Sequence, residues 1–457
     1  MENIQYNNFR TKYKNFYYEN YHLENTDDSI KISFDFSIDG LVKFNPNISI
    51  PKKKFKFFND ITGKIAKKIV FYMGMVELIS YWKCACPQNV IINCGHLSDH
   101  EILWWKKLYF NGLGEFFYTN NITPNFDDFM IISSTDNSIV LESDDRFNFS
   151  DKFSNIIPIG GGKDSIVSIE LLSKFKSKNL PLIINPRGAS SETAHIAGYL
   201  DDEILEIYRT IDKNLLDLNK KGFLNGHTPF SAMLGFTSVF CSFILGIPNI
   251  ALSNESSANE SNIKGTNINH QYSKSFEFEL DFSNYVHEHI NTNINYFSLL
   301  RPFSELKIAQ LFSRHKKYFN VFKSCNVGSK QDIWCGHCPK CLFVYIMLLP
   351  FVDVNDLIGI LGKDMLDDIS LSDTFSGLIG LSEVKPFECV GTIEEVNYAL
   401  NLSYEKHYKN TTLPKLLDFY FKNYHGDKYL NSNALSCFNK NNIPKNLLNI
   451  VGEYKND

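Results

Sequence analysis

Residues 156–159, Ile-Ile-Pro-Ile, run directly into Gly160-Gly161-Gly162, then Lys163-Asp164-Ser165, then apolar residues at helical spacing through Leu172. That order predicts a buried strand, a tight turn and a helix N-terminus. Backbone N–H groups in such a turn point outward together, and the helix adds its positive end, so the turn favours an anion. Glycines let the backbone approach that anion with no Cβ in between. Two familiar signatures fail here. The common phosphate loop needs Ser or Thr after its lysine, where this chain has Asp164, and the dinucleotide fingerprint needs a third glycine at a spacing that is absent. An anion-binding loop built from Gly160, Gly161, Gly162, Lys163, Asp164 and Ser165 therefore stands against a glycine turn with no ligand.

Residues 151–350 continue in alternation, which predicts a parallel sheet with helices on both faces. Helical patterns cover 166–175, 195–199 and 232–245, and strand patterns cover 181–185, 204–208 and 248–253. Ligands of open α/β sheets sit beyond the carboxyl ends of strands, and Arg187, Asn254 and Glu255 lie at such ends. Ser304 is placed to cap a helix running to His315. The expected fold class is α/β, with a central parallel-sheet, Rossmann-like nucleotide-binding domain over 151–350. An α+β domain over 1–150 precedes it, and a mostly helical region over 351–457 follows. In the first part, 30–36 alternates as a strand, 69–82 is an apolar helix and 90–92 is a strand; the adjacent Trp104 and Trp105 read as core.

The second strong pattern is Cys325, then Cys335, Cys338 and Cys341, a C-x9-C-x2-C-x2-C spacing. Two-residue gaps let consecutive thiolates turn onto one ion, and four sulfur ligands suit a closed tetrahedral Zn²⁺ site of structural type, with unmetallated thiols and a redox or iron–sulfur site as the alternatives. His337 sits between ligands and is expected to point away. Cys84, Cys86 and Cys94 read as buried thiols. Cys389 is a further thiol, for which a structural role stays open beside a chemical one.

Ten cysteines in 457 residues, unevenly clustered, fit a reducing cytoplasm better than a disulfide framework. The net charge of −5 offers no basic field for nucleic acid. Residues 1–21 lack the apolar core of a signal peptide, and no run of ~18 apolar residues offers a membrane span. Small-molecule substrates are the expected partners, and oligomeric state is left open.

The glycine loop resembles the pyrophosphate loop of the ATP pyrophosphatase family, Ser-Gly-Gly-x-Asp-Ser, with Gly160 standing where that family usually has Ser. The resemblance implies binding of Mg²⁺ and ATP, attack of a substrate oxygen on the α-phosphate, and release of pyrophosphate. Asp164 would help hold Mg²⁺, the glycine N–H groups and Ser165 would hold pyrophosphate, and Lys163 would neutralise developing charge. The cysteine cluster is similar to that of 7-cyano-7-deazaguanine synthase in the same group, so deazapurine or tRNA-base modification is one alternative. A nucleotide-binding regulator is another.

A wider resemblance is carried by Gly74 to Lys83, Gly112 to Tyr118, the Gly-Gly-Gly-Lys-Asp-Ser loop, Ser253-Asn254-Glu255, Asn269 to Glu277, Trp334 to Phe343 and Lys385 to Thr392. In that order these motifs resemble the UDP-N-acetylmuramoyl-L-alanyl-L-glutamate epimerase family of peptidoglycan synthesis. The resemblance implies ATP-dependent inversion of the terminal L-Glu of a UDP-linked muramoyl dipeptide, with AMP and pyrophosphate released. Adenylating the carboxylate would remove the charge that makes an adjacent Cα–H poorly acidic. His270, Lys274, Glu255 and Cys389 are the candidates for moving the proton. The first 150 residues are candidates for holding the UDP-sugar.

Overall fold

The computed structural model describes residues 3–53, 55–135, 147–424, 434–435 and 437–454. Among them, eleven strands form one sheet. They are β1 (Asn15–Asn25), β2 (Ser29–Ile38), β3 (Val42–Phe44), β4 (Asn47–Pro51), β5 (Asn89–Ile92), β6 (Ile131–Ser134), β7 (Asn155–Pro158), β8 (Asn179–Ile184), β9 (Leu205–Thr210), β10 (Asn249–Leu252) and β11 (Asn295–Ser298). Their order is β11-β10-β7-β8-β9-β4-β2-β1-β5-β6, with β3 paired to β2.

The five strands from β9 to β11 are mutually parallel. The chain lays down β7, β8 and β9 in one direction, then returns to the other side of β7 for β10 and β11. That reversal leaves a crevice at the carboxyl ends of β7 and β10, where open α/β sheets take ligands. The opposite end of these strands is pinned by a ladder of asparagines, buried except for the half-buried Asn295. Asn295 donates to Asn249 at 3.0 Å, Asn249 to Asn155 at 3.0 Å, Asn155 to Asn179 at 2.9 Å, and Asn179 to the Leu172 carbonyl at 2.8 Å. Three of the amides donate to the neighbouring strand and that of Asn179 to the end of helix Lys163–Leu171, so the ladder helps to fix register. Antiparallel pairing of β4 with β9 carries the sheet into the N-terminal strands. Residues 136–146, beside the domain boundary expected at 150, lie outside the described residues.

Alternate strand residues face two cores. Ile156, Leu182 and Ile250 join the core of helices Lys64–Trp82 and Phe230–Leu245, while Ile157, Ile183 and Ala251 join that of helices Lys163–Leu171, Glu305–Ser313 and Pro339–Leu348. Helix Lys64–Trp82 is buried on nearly every side, as its continuous apolar run requires. Gly74 is obligatory in it, because a Cβ there would lie 1.9 Å from the Tyr18 hydroxyl oxygen. Glu77, buried in the same helix, is paired by Arg209 of β9 through two bonds of 2.9 and 2.7 Å. Beyond residue 350 the described chain is helical, and helix Ile393–Ser403 opens with a Thr392–Glu395 capping box.

Several boundaries differ from expectation: the helix expected at 69–82 begins at Lys64, and the one expected to run to His315 ends at Ser313. The helix expected at 195–199 is Gly188–Ile196, starting one residue after Arg187. Its buried face is Ala189, Ser190, Thr193 and Ala194, residues too small to mark a hydrophobic stripe. The helix expected to reach 175 ends at Leu171 and passes into a 3₁₀ turn over Ser173–Lys178. No helix among the described residues is long and apolar enough to cross a membrane.

Candidate active site

At the switch point lies a cavity of roughly 430 Å³. Gly160, Gly162, Asp164 and Ser165 form one wall, Asn254 and Glu255 another, and Arg187, Lys274, Lys323, Lys340 and Cys389 complete it. Four cations around a crevice that also receives a helix N-terminus favour a multiply charged anion. Ser253 and Ser324 line the cavity, and their buried hydroxyls have no hydrogen-bond partner among the described residues.

Gly161 takes φ +83°, and a Cβ on it would meet the backbone of Ala189 at 2.7 Å. Only glycine fits that approach between the loop and the helix after β8. Gly160 faces open space, with no atom within 4 Å of a Cβ placed there. Ser165 donates to the Gly162 carbonyl at 2.9 Å, closing the first turn.

Lys163 does not line the cavity. Its side chain is almost fully buried and meets Asp164 and, at 2.9 Å, Glu305. Oxygens of Asp164, Glu255 and Glu305 lie within 4.8 Å of one another. Burial, against the charge of Lys163 and with Asp164 and Glu255 adding repulsion, raises Glu305 to about 7. Burial and the charge of Asp164 likewise raise Glu255. Oxygen donors crowded in this way suit a hard divalent cation. Arg301, almost fully buried, ties this region together. It pairs with Glu279 at 2.8 Å and donates to the backbone carbonyls of Glu255 at 2.5 Å and Lys274 at 2.7 Å.

Across the cavity, Lys274 donates to Cys389 Sγ at 3.1 Å. Lys340 donates to the Cys389 carbonyl, and His270 hydrogen-bonds the thiol. Burial alone would push the thiol up, but Lys274, the His270 bond and Lys340 together bring it down to about 5. It is therefore a thiolate at neutral pH, the reactive form. His270 stands behind Cys389, off the cavity wall, with Nδ1 donating to Glu115 at 2.5 Å. Burial opposes its charge, yet the bonds to Cys389 and Glu115 raise it to about 9.

The four cluster cysteines converge beside the same cavity, which Cys325 helps to line. Cys325–Cys338, Cys335–Cys341 and Cys338–Cys341 sulfurs are 3.7, 3.8 and 3.4 Å apart. An ion ~2.3 Å from each of four tetrahedral sulfurs needs edges of about 3.8 Å, so the thiols fit Zn²⁺. His337 is exposed and turned to the Cys335 carbonyl, away from the cluster, as expected. Cys84 and Cys86 are buried as expected, whereas Cys94 is only half-buried.

The MurL N-terminal domain matches residues 7–299, which hold all eleven strands, and the MurL C-terminal domain matches residues 321–418. The chain belongs to the MurL family. Among its relatives, the UDP-N-acetyl-alpha-D-muramoyl-L-alanyl-L-glutamate epimerase of Xanthomonas oryzae pv. oryzae is 33% identical over 72% of each chain. That of Salinispora tropica is 33% identical over 81% of this chain and 80% of its own. That of a Micromonospora species is 32% identical over 82% and 83%. The relatives are epimerases, and membership of their family makes this chain an enzyme of the isomerase class.

Site residues that were not singled out from the sequence include Glu305, Arg301, Lys340, Lys323, Ser324 and Glu115. Lys340 had a signal, since it lies inside the cysteine motif. Glu305 had a weaker one, directly after the Ser304 cap, which does bond the Lys307 N–H at 3.0 Å.

Proposed function

We propose that the chain inverts the terminal L-Glu of UDP-N-acetylmuramoyl-L-alanyl-L-glutamate to D-Glu, by adenylating its carboxylate with ATP and releasing AMP and pyrophosphate. The observation that carries this reading is that one cavity holds both an anion-binding glycine loop and a thiolate, Cys389. The relatives' name supplies the substrate class.

On this reading the 151–350 segment is an ATP pyrophosphatase-type domain, supported by the parallel strand order around β7 and by the loop that follows it. The N–H groups of Gly160 to Gly162 and the Ser165 hydroxyl take the pyrophosphate. Asp164, with Glu255 beside it, would hold Mg²⁺, whose charge would offset that of the phosphates. Lys163 acts from behind, its charge balancing Asp164 and Glu305 rather than touching ATP. Arg187 and Lys323 face the remaining anionic groups. The α-carboxylate of glutamate, once esterified to AMP, no longer repels a second negative charge at Cα. Cys389 then takes the Cα proton, and Lys274, held against the thiolate, stabilises the charge that develops. A proton drawn from solvent is added on the opposite face, Cys389 returns its own proton to solvent, and water attacks the acyl carbon with AMP as the leaving group. Zn²⁺ at Cys325, Cys335, Cys338 and Cys341 has a structural role on this account.

The first 150 residues are assigned to the UDP-sugar, and residues 351–457 to support of the Cys389 loop. The reaction belongs to the cytoplasm, where ATP is supplied and thiol clusters stay reduced. Incubation with ATP and the UDP-linked dipeptide, followed by chiral analysis of glutamate, tests the reading. Appearance of D-Glu only when ATP is present is the expected outcome; a dipeptide left untouched beside a modified deazapurine or tRNA base would favour the alternative chemistry.

A further inference from the structure

Helix Gly114–Thr119 is set unusually close to its neighbours. A Cβ on Gly112, just before it, would lie 2.8 Å from Pro229, and one on Gly226 would lie 3.1 Å from Phe116. These glycines let the helix nest between the segments that carry His227 and His270, and the side chain delivered there is Glu115. Its carboxylate accepts from His270 Nδ1 at 2.5 Å and lies 3.7 Å from His227 Nδ1. The two imidazole rings are 4.2 Å apart. The backbone of His270 is fixed as well: its N–H donates to Asn262 at 2.8 Å, and Asn262 donates to the Pro386 carbonyl at 2.8 Å, on the loop that carries Cys389.

We infer that Glu115 is a positioning residue that acts through His270 to keep Cys389 in its thiolate form. The inference rests on Cys389 being the group that takes the Cα proton. The charges around the pair explain why a carboxylate is needed. Lys274 and Lys340 face Cys389, Glu388 adjoins it, and Lys83, His227 and Lys274 lie around the histidines. A protonated His270 adds another cation to this group, and Glu115 is a second anion beside it, after the Cys389 thiolate. His227 goes the other way: burial and the charge of His270 push it down to about 3, so one proton serves the two rings and sits on His270. Glu115 also fixes which nitrogen of His270 donates, as a carboxylate does for a catalytic imidazole.

The test is the pH dependence of iodoacetamide alkylation at Cys389 in the full chain, read by peptide mass spectrometry, for wild type, Glu115→Gln and Glu115→Asp. Glutamine can still accept from Nδ1 but carries no charge. In Glu115→Gln the alkylation midpoint should rise by about one pH unit or more, slowing alkylation ~10-fold on the acid side, with the lost rate recovered at alkaline pH. Glu115→Asp should stay near wild type. Superimposable profiles for wild type and Glu115→Gln would overturn the inference. Cys389→Ala separates it from the larger reading: inversion surviving in that variant would remove Cys389 as the base, whereas the alkylation profile still reports whether Glu115 governs the thiol.

Discussion

Lys340, flanked by two cluster cysteines, donates its ammonium to the backbone carbonyl of Cys389. The cysteine cluster is thereby joined directly to the loop that carries the reactive thiol. Lys340 is buried, so removing it leaves that carbonyl without its donor. Lys340→Met should cost roughly 1–3 kcal/mol of stability while retaining zinc. It should also slow Cα proton exchange, because the Cys389 thiolate loses one of its cations. Metal content, thermal unfolding and exchange rate, measured on one preparation, check the three effects together.

Purified protein should contain one Zn²⁺ per chain, bound by Cys325, Cys335, Cys338 and Cys341. Structural zinc contributes folding free energy outright, so Cys338→Ser should lose the metal and unfold at a lower temperature. Elemental analysis showing a metal-free, fully stable and active wild type would contradict this.

Asp164→Ala should reduce pyrophosphate release by at least about 10²-fold with the fold intact. Asp164 also stands in the first turn of its helix, where a carboxylate is favourable, and a purely electrostatic role there is worth only ~0.3–1 kcal/mol. An ATP/pyrophosphate exchange assay distinguishes the two, since loss of that helix contribution alone would spare turnover.

The glycines of the loop should respond unequally. Gly161→Ala forces a side chain into a left-handed conformation and into the Ala189 backbone, a cost of at least about 1–2 kcal/mol. Gly160→Ser places its side chain in open space and should leave the unfolding temperature unchanged. Comparing the two variants by thermal unfolding tests the geometry of the loop.

The glycine loop and cysteine spacing were legible because each is a local pattern with a local physical cause. Strand and helix periodicity likewise gave the parallel half of the sheet and the apolar helix ending at Trp82. The orientation of Lys163 was not legible. The sequence places a lysine beside the loop, but its direction depends on Glu305, which arrives from a distant helix. Glu115 and His270 meet across 155 positions of chain, so nothing local announces their bond. The asparagine ladder is similar: four Asn residues, each at the start of a strand, become one feature only when strand order is known. The helix after Arg187 escaped notice because its buried face is built from small residues.

Activity should depend on pH through the Cys389–His270 pair. Cys389, brought down to about 5, is a thiolate above that pH, and His270, raised to about 9, keeps its proton below that pH. Cα proton exchange should therefore reach a plateau above about 5 and fall below it, as Cys389 takes up its proton. Cys389→Ser should abolish the plateau while ATP/pyrophosphate exchange continues, since on the proposed reading the thiolate acts at Cα and not on ATP.

The central claim is inversion at glutamate Cα through an adenylated carboxylate, and reaction in deuterated water tests it most directly. Product D-Glu should carry deuterium at Cα, ATP should yield AMP and pyrophosphate, and omission of ATP should stop both inversion and exchange. D-Glu formed without solvent deuterium, or with ADP as the by-product, would contradict the account.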